Sequence, residues 1–284
     1  MSIPKTTKIN CPHCHTFFTT TTWSSVNTDL EKDLATKVAN GTFFQVKCPH
    51  CGFIARLEYD FLYHDVSNNA MIWVVHQNDP VEYAKKIAEI KNTAKMVPVG
   101  VTTRIVNNTN QLREKVAALM LGKDDRIIEL CKVYIKYDCI DQNPEFEFKN
   151  AFYGFVNGKD IVFIYDVNGK ELNCTLDDIV YQTVAEIFSD ALQKSAEEPY
   201  AIYDSAWAEA FFDQNFPQNL INTLNDDKTS SAATETEELA ESTNKDEGQQ
   251  DDFVSEKMQL LEQIQWLKTN PFFLLMCDKE VIEV

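Results

Sequence analysis

Four cysteines carry the clearest chemistry in this chain. Cys11 and Cys14 bound one Cys-Pro-His-Cys tetrapeptide, and Cys48 and Cys51 bound an identical second one thirty-three residues later. A Cys-x-x-Cys pair places two sulfurs on one side of a tight turn, and two such turns can meet around a single tetrahedral ion. Thiolates select zinc or iron, and four of them leave no coordination position open for water or substrate. The spacing therefore predicts one zinc ion per chain held by Cys11, Cys14, Cys48 and Cys51, with a rubredoxin-like iron site as the less favoured occupant. The proline in each tetrapeptide fixes φ and removes one backbone donor, so the remaining turn amides are free to point at the sulfurs. The residue after the second cysteine tends to need positive φ. Gly52 suits that place, and His15 fills the equivalent one with a side chain that tolerates it. His13 and His50, inside the tetrapeptides, read as exposed loop residues rather than ligands.

Other reactive residues lack partners. His64-Asp65 has the composition of an acid/base pair, but no nucleophile accompanies it, and a turn or packing role is the better reading. Cys131, Cys139 and Cys174 fall in expected helix or strand without a matching histidine, so they read as small buried apolar residues. Asp124-Asp125-Arg126 reads as a helix start whose acids suit the helix dipole. Eight glycines in the chain form no phosphate-binding loop. No catalytic constellation results, and the expectation is a protein without enzymatic activity.

The elements that must hold the cysteines follow from local pattern. Lys8-Ile9-Asn10 leads into the first knuckle, and Thr-rich Phe17 to Trp23 leaves it as a strand. Asp29 to Val38 carries Leu30, Leu34 and Val38 on one helical face and stops at Asn40-Gly41. Thr42 to Lys47 and Phe53 to Tyr59 flank the second knuckle as strands, and Ala70 to His76 is a third apolar run. Residues 1–78 are thus expected to form a zinc-ribbon-like antiparallel β module with a helical insert. Residues 79–222 are expected to form an α+β helix–meander domain. Asp79-Pro80 starts a helix with Val81, Ala84, Ile87 and Ala88 inward, and Val101 to Val106 is a strand. An αα-hairpin follows: one helix capped by Thr109 or Asn110 with Leu112, Val116, Leu119 and Met120 inward, then one opened by Asp124 or Asp125. Three strands between 146 and 176, divided by Asn157-Gly158 and Asn168-Gly169, predict a meander. Helices are expected over Asp177 to Lys194 and Tyr203 to Phe212. Residues 223–252 read as a disordered acidic linker. Residues 253–284 read as an amphipathic helix (Val254, Met258, Leu261, Ile264, Leu267) with an apolar tail. The fold class expected is α+β.

The paired motif resembles the CpXC domain of bacteria and archaea, defined by two Cys-Pro-x-Cys motifs and without an assigned biochemical role. The similarity extends to Trp23-Ser24-Ser25-Val26-Asn27, Asp29-Leu30, Gly41, Phe43-Phe44, Leu62-Tyr63-His64-Asp65 and Met71-Ile72-Trp73-Val74-Val75. It continues through Asn110 to Lys115 and Asp124 to Leu130, so it covers roughly residues 8 to 135. The resemblance implies a zinc-binding domain and supplies no activity.

Charge narrows the partners. The chain has 284 residues and a formal net charge of −18. Residues 1–80 are close to neutral, whereas residues 226–252 hold ten acidic and two basic groups. No basic face for DNA or RNA is visible, so a nucleic-acid-associated ribbon is disfavoured. No apolar run approaches the length of a membrane span, and the first ten residues lack a signal segment, so a cytoplasmic location is expected. The expected role is a protein-interaction or adaptor module, acting through the helix–meander domain or the C-terminal tail. The alternative is a redox protein, either an iron carrier or a zinc–thiolate switch.

Overall fold

The computed structural model describes residues 2–216 apart from residue 144. The expected linker (223–252) and C-terminal helix and tail (253–284, with Cys277) lie outside the described residues. Within them the chain is α+β, as the sequence predicts.

Two hairpins carry the knuckles. Strands β1 (Ile3–Asn10) and β2 (Phe17–Asn27) pair antiparallel around Cys11 and Cys14, and β3 (Gln45–Lys47) and β4 (Ile54–Arg56) do so around Cys48 and Cys51. Helix α1 (Lys32–Ala39) fills the interval between them. Strands β5 (Phe61–Asp65), β6 (Ala70–Val74) and β7 (Thr102–Val106) extend the first hairpin into a five-stranded sheet of order β1-β2-β5-β6-β7. The expected antiparallel pairing holds in the knuckle hairpins, and the sheet adds two parallel pairings, β2 with β5 and β6 with β7. Parallel neighbours need long crossovers. Here one crossover contains α1 and the second knuckle, and the other contains α2 (Pro80–Asn92). The sheet therefore runs past residue 78, because β7 pairs along the whole of β6.

Alternation along β5 and β6 buries one residue in two. On one face Val26, Phe61, Tyr63, Ile72, Val74 and Val106 form a core with Phe44, with Val38 of α1, and with Leu112 and Val116 of α3 (Thr109–Met120). On the other, Trp73 and Ile105 meet Ile87 and Ile90 of α2, with Tyr200. Asp79 caps α2 as expected, its carboxylate accepting from the Val81 and Glu82 amides at 2.8 and 3.0 Å. Val81, Ala84 and Ala88, expected inward, are exposed, because α2 meets the sheet through Tyr83, Ile87 and Ile90 instead. Met120, also expected inward, is exposed. Asn108, one residue before the expected caps, accepts from the Gln111 amide and starts α3.

Asp124 caps α4 (Asp125–Gln142). The meander is β8 (Phe148–Val156), β9 (Lys159–Asp166) and β10 (Glu171–Thr175), with β9 central. Asn157 and Gly158 both have positive φ (53° and 81°), the backbone that a tight hairpin turn needs. Helices α4, α5 (Asp178–Lys194) and α6 (Ser205–Asn215) close a second core around Ile128, Val162, Ile164, Val184, Phe188 and Phe212. Helix α3 serves both cores, since Ala118 belongs to the second.

Candidate metal centre

Both knuckles are built alike. The Cys11 amide donates to the Thr16 carbonyl at 3.1 Å, and the His15 amide donates back to the Cys11 carbonyl at 2.9 Å. In the second knuckle the Cys48 amide donates to the Phe53 carbonyl at 2.8 Å and the Gly52 amide to the Cys48 carbonyl at 3.0 Å. Each turn reverses through a left-handed residue, His15 (φ 56°) and Gly52 (φ 76°), as the sequence required. The His13 ring stacks on Phe53, with centroids 5.5 Å apart, which ties one knuckle to the other.

The four sulfurs converge. All lie within 4.8 Å of one another, with Cys11 to Cys51 and Cys14 to Cys48 each at 3.7 Å. A metal–sulfur bond of about 2.3 Å in a tetrahedron puts neighbouring sulfurs at about 3.8 Å, so the spacing fits one ion. Cys11 and Cys48 are buried and Cys51 is exposed. The thiols are electrically inequivalent. The Thr16 hydroxyl and amide hold Cys14 down to about 6. At Cys51 the Phe53 amide pulls downward, but desolvation and the sulfurs of Cys14, Cys48 and Cys11 outweigh it and push the thiol up to about 12. Sulfurs this close resist bearing four negative charges together, and a divalent cation removes that conflict by displacing the protons. The residues present therefore fit a metal ion bound through four thiolates.

The remaining candidates stay apart. His13 and His50 are exposed and outside the sulfur group. His64 and Asp65 are consecutive in β5 and face opposite sides of the sheet. His64 Nδ1 lies 3.4 Å from Asn27 Nδ2, and buried Asp65 accepts from the Asn68 amide and side chain. Desolvation lowers the His64 imidazole, ahead of any effect of nearby charge. No acid/base pair is formed. Cys131 and Cys139 are buried in the second core, Cys174 packs against it, and burial pushes all three thiols up. A groove of about 470 Å³ between the first hairpin and α2 is lined by Thr7, Trp23, Tyr59, Asp60, Trp73 and Lys86. Within it Lys86 Nζ lies 3.7 Å from Asp60.

Sequence reasoning missed one constellation. Asp125 is no solvated helix-start acid. It receives two hydrogen bonds of 2.8 Å from the Arg104 guanidinium and joins a buried cluster with Glu114, Lys115, Glu129 and Lys132. A signal was present: Asp125, Glu129 and Lys132 recur at i, i+4 and i+7, one stripe of α4. Among the described residues no helix is long and apolar enough to cross a membrane.

Residues 9–132 match the family described as CpXC protein. The matched region takes in all four cysteines, the five-stranded sheet from Ile9 onward, and every member of the buried charge cluster. No curated protein and no solved structure matches the chain.

Proposed function

We propose that this chain, which carries a CpXC domain over residues 9–132, is a non-enzymatic zinc protein whose metal staples an interaction module. The carrying observation is the convergence of four thiols within 4.8 Å of one another, two pairs of them at 3.7 Å. Four thiolate ligands close the coordination sphere, which suits a structural ion and leaves no place for a reacting water. Zinc is preferred because such sites contribute folding energy directly, and the second knuckle has little else to hold it. Its strands β3 and β4 are three residues each, and Val46 is the one buried residue among the six. An interaction role is supported by the apolar residues left in the open beside the metal: Phe17, Phe53 and Ile54 are all exposed. One observation favours the redox alternative. Cys51 is exposed, so an oxidant could reach a ligand sulfur.

X-ray absorption at the zinc edge of the purified chain tests the reading. Four sulfur neighbours at about 2.3 Å support it. Iron as the occupant, an oxygen or nitrogen ligand from the protein, or no stoichiometric metal would overturn it.

A further inference from the structure

The two knuckle hairpins carry no carboxylate. Residues 3–27 and 45–56 contain no aspartate or glutamate and four cations, Lys5, Lys8, Lys47 and Arg56, in a chain whose acids outnumber its Lys and Arg by 44 to 26. The near-neutral balance of residues 1–80 thus divides in space, with its acids on α1, β5 and the connecting loops. Arg56 Nε lies 3.6 Å from Glu58. Lys5, Lys8 and Lys47 form no ion pair among the described residues. A divalent ion with four thiolates carries −2, which leaves the hairpins cationic.

Apolar side chains stand among these cations. In the first hairpin Lys8 pairs with Thr19 and Asn10 with Phe17, which puts Lys8 and Phe17 on one face. Lys8 Nζ sits 4.7 Å over the Phe17 ring. In the second hairpin Lys47 pairs with Ile54 and Gln45 with Arg56, so Lys47, Ile54 and Arg56 share its exposed face. Phe53 joins the two through its stack on His13. Phe17, Phe53 and Ile54 are 59%, 41% and 58% exposed. Lys8, Phe17, Lys47, Phe53 and Ile54 each stand within three positions of a knuckle cysteine, so whatever gathers the sulfurs gathers this patch. An apolar surface rimmed by one sign of charge fits a segment that brings apolar side chains and the opposite sign.

We propose that the knuckle patch is the docking site of the chain's own residues 246–262, with their carboxylates on Lys8 and Lys47 and their apolar side chains on Phe17, Phe53 and Ile54. That segment, outside the described residues, holds six acids and one lysine together with Phe253, Val254, Met258, Leu260 and Leu261. It therefore answers the patch in charge and in apolar character within one short stretch. Asp246 follows Phe216 by thirty positions, a length that extends to about 100 Å, so reach does not forbid the contact within one chain. A segment tethered in this way acts at an effective concentration of about millimolar, ahead of a free partner. A nucleic acid would meet the same lysines, but the chain's net charge of −18 repels its phosphates. The docking rests on the metal-stapled reading above and adds its occupant: withdrawing the metal disperses the patch and releases the segment.

The test is zero-length carbodiimide cross-linking of the full metal-loaded chain, with the joined peptides mapped by mass spectrometry. The Lys136–Glu209 pair, 2.7 Å apart, serves as the internal standard. Lys8 or Lys47 should join to carboxylates of residues 246–262 within the monomer. Ile54→Glu puts a carboxylate into the patch and should lower that yield about tenfold or more with metal content unchanged. Leu261→Glu alters the segment alone and should do the same, so it decides the matter if the first variant does not fold. Chelation should abolish the cross-link while the standard persists. Cross-links that form only between copies, or that persist unchanged in both variants, overturn the docking, as does capture of a single-stranded oligonucleotide by these lysines in the full chain. Full zinc with no cross-link overturns the docking alone, whereas a chain without stoichiometric metal overturns the reading beneath it as well.

Discussion

Removing the metal should melt one hairpin and spare the sheet beside it. Residues 45–56 contain β3, the second knuckle and β4. Fixing twelve backbones costs on the order of 12–24 kcal/mol at 1–2 kcal/mol per residue. Among the β3 and β4 residues only Val46 is buried, worth about 1.5–3 kcal/mol, and the ladder adds three residue pairs. The ion must supply most of the difference, and small zinc peptides bind it with about 10–16 kcal/mol. The central sheet has its own core, with Phe61, Ile72, Val74 and Leu112 fully buried. Chelation, or Cys48→Ser, should therefore abolish amide protection at Lys47, Cys48 and Gly52 while Ile72 and Ile105 stay protected. Hydrogen exchange with and without chelator reads this directly. A hairpin still protected in demonstrably metal-free protein would refute the reasoning, as would simultaneous loss of the whole sheet at native conditions.

Leu112→Ala removes a fully buried side chain of α3 and should cost about 2–5 kcal/mol in denaturant unfolding with metal content unchanged. With a net charge of −18, the chain should show no general affinity for DNA or RNA in low-salt mobility shifts; micromolar binding that collapses with added salt contradicts this. A chain ending at Asn222 should stay folded and metal-loaded, because it keeps every described member of both cores, of which Phe216 is the last. Loss of the meander's cooperative unfolding on that truncation would make the tail part of the core.

The four-cysteine cluster was legible because its geometry is local. Cys-Pro-x-Cys fixes two sulfurs within four residues, and Gly52 and His15 announce the backbone that each turn requires. The meander was legible for the same reason, through Asn157-Gly158. What the sequence hid was long-range. Nothing in Thr102–Val106 says that it pairs parallel with Ala70–Val74, since a short apolar strand looks alike beside either neighbour. The expected boundary at 78/79 accordingly falls inside a region that shares one sheet. The charge cluster was hidden by a reasonable prior that Asp, Glu and Lys are solvated. Lys115 breaks it, being almost wholly buried, because Glu129 and Asp125 come to it from a helix that reaches it only when the hairpin closes. Val81 misled for a simpler reason: an apolar residue in the first turn of α2 fits the periodicity, but the helix packs through Tyr83, Ile87 and Ile90 instead.

The account rests most directly on what the four cysteines hold. Metal analysis of the purified full chain, taken with its visible spectrum and a titration of reactive thiols, measures that. The prediction is one zinc per chain, no visible absorption, and four thiols that become reactive together when the metal is withdrawn. A chain that carries no stoichiometric metal, or a red one with the absorption of iron–thiolate, would contradict it.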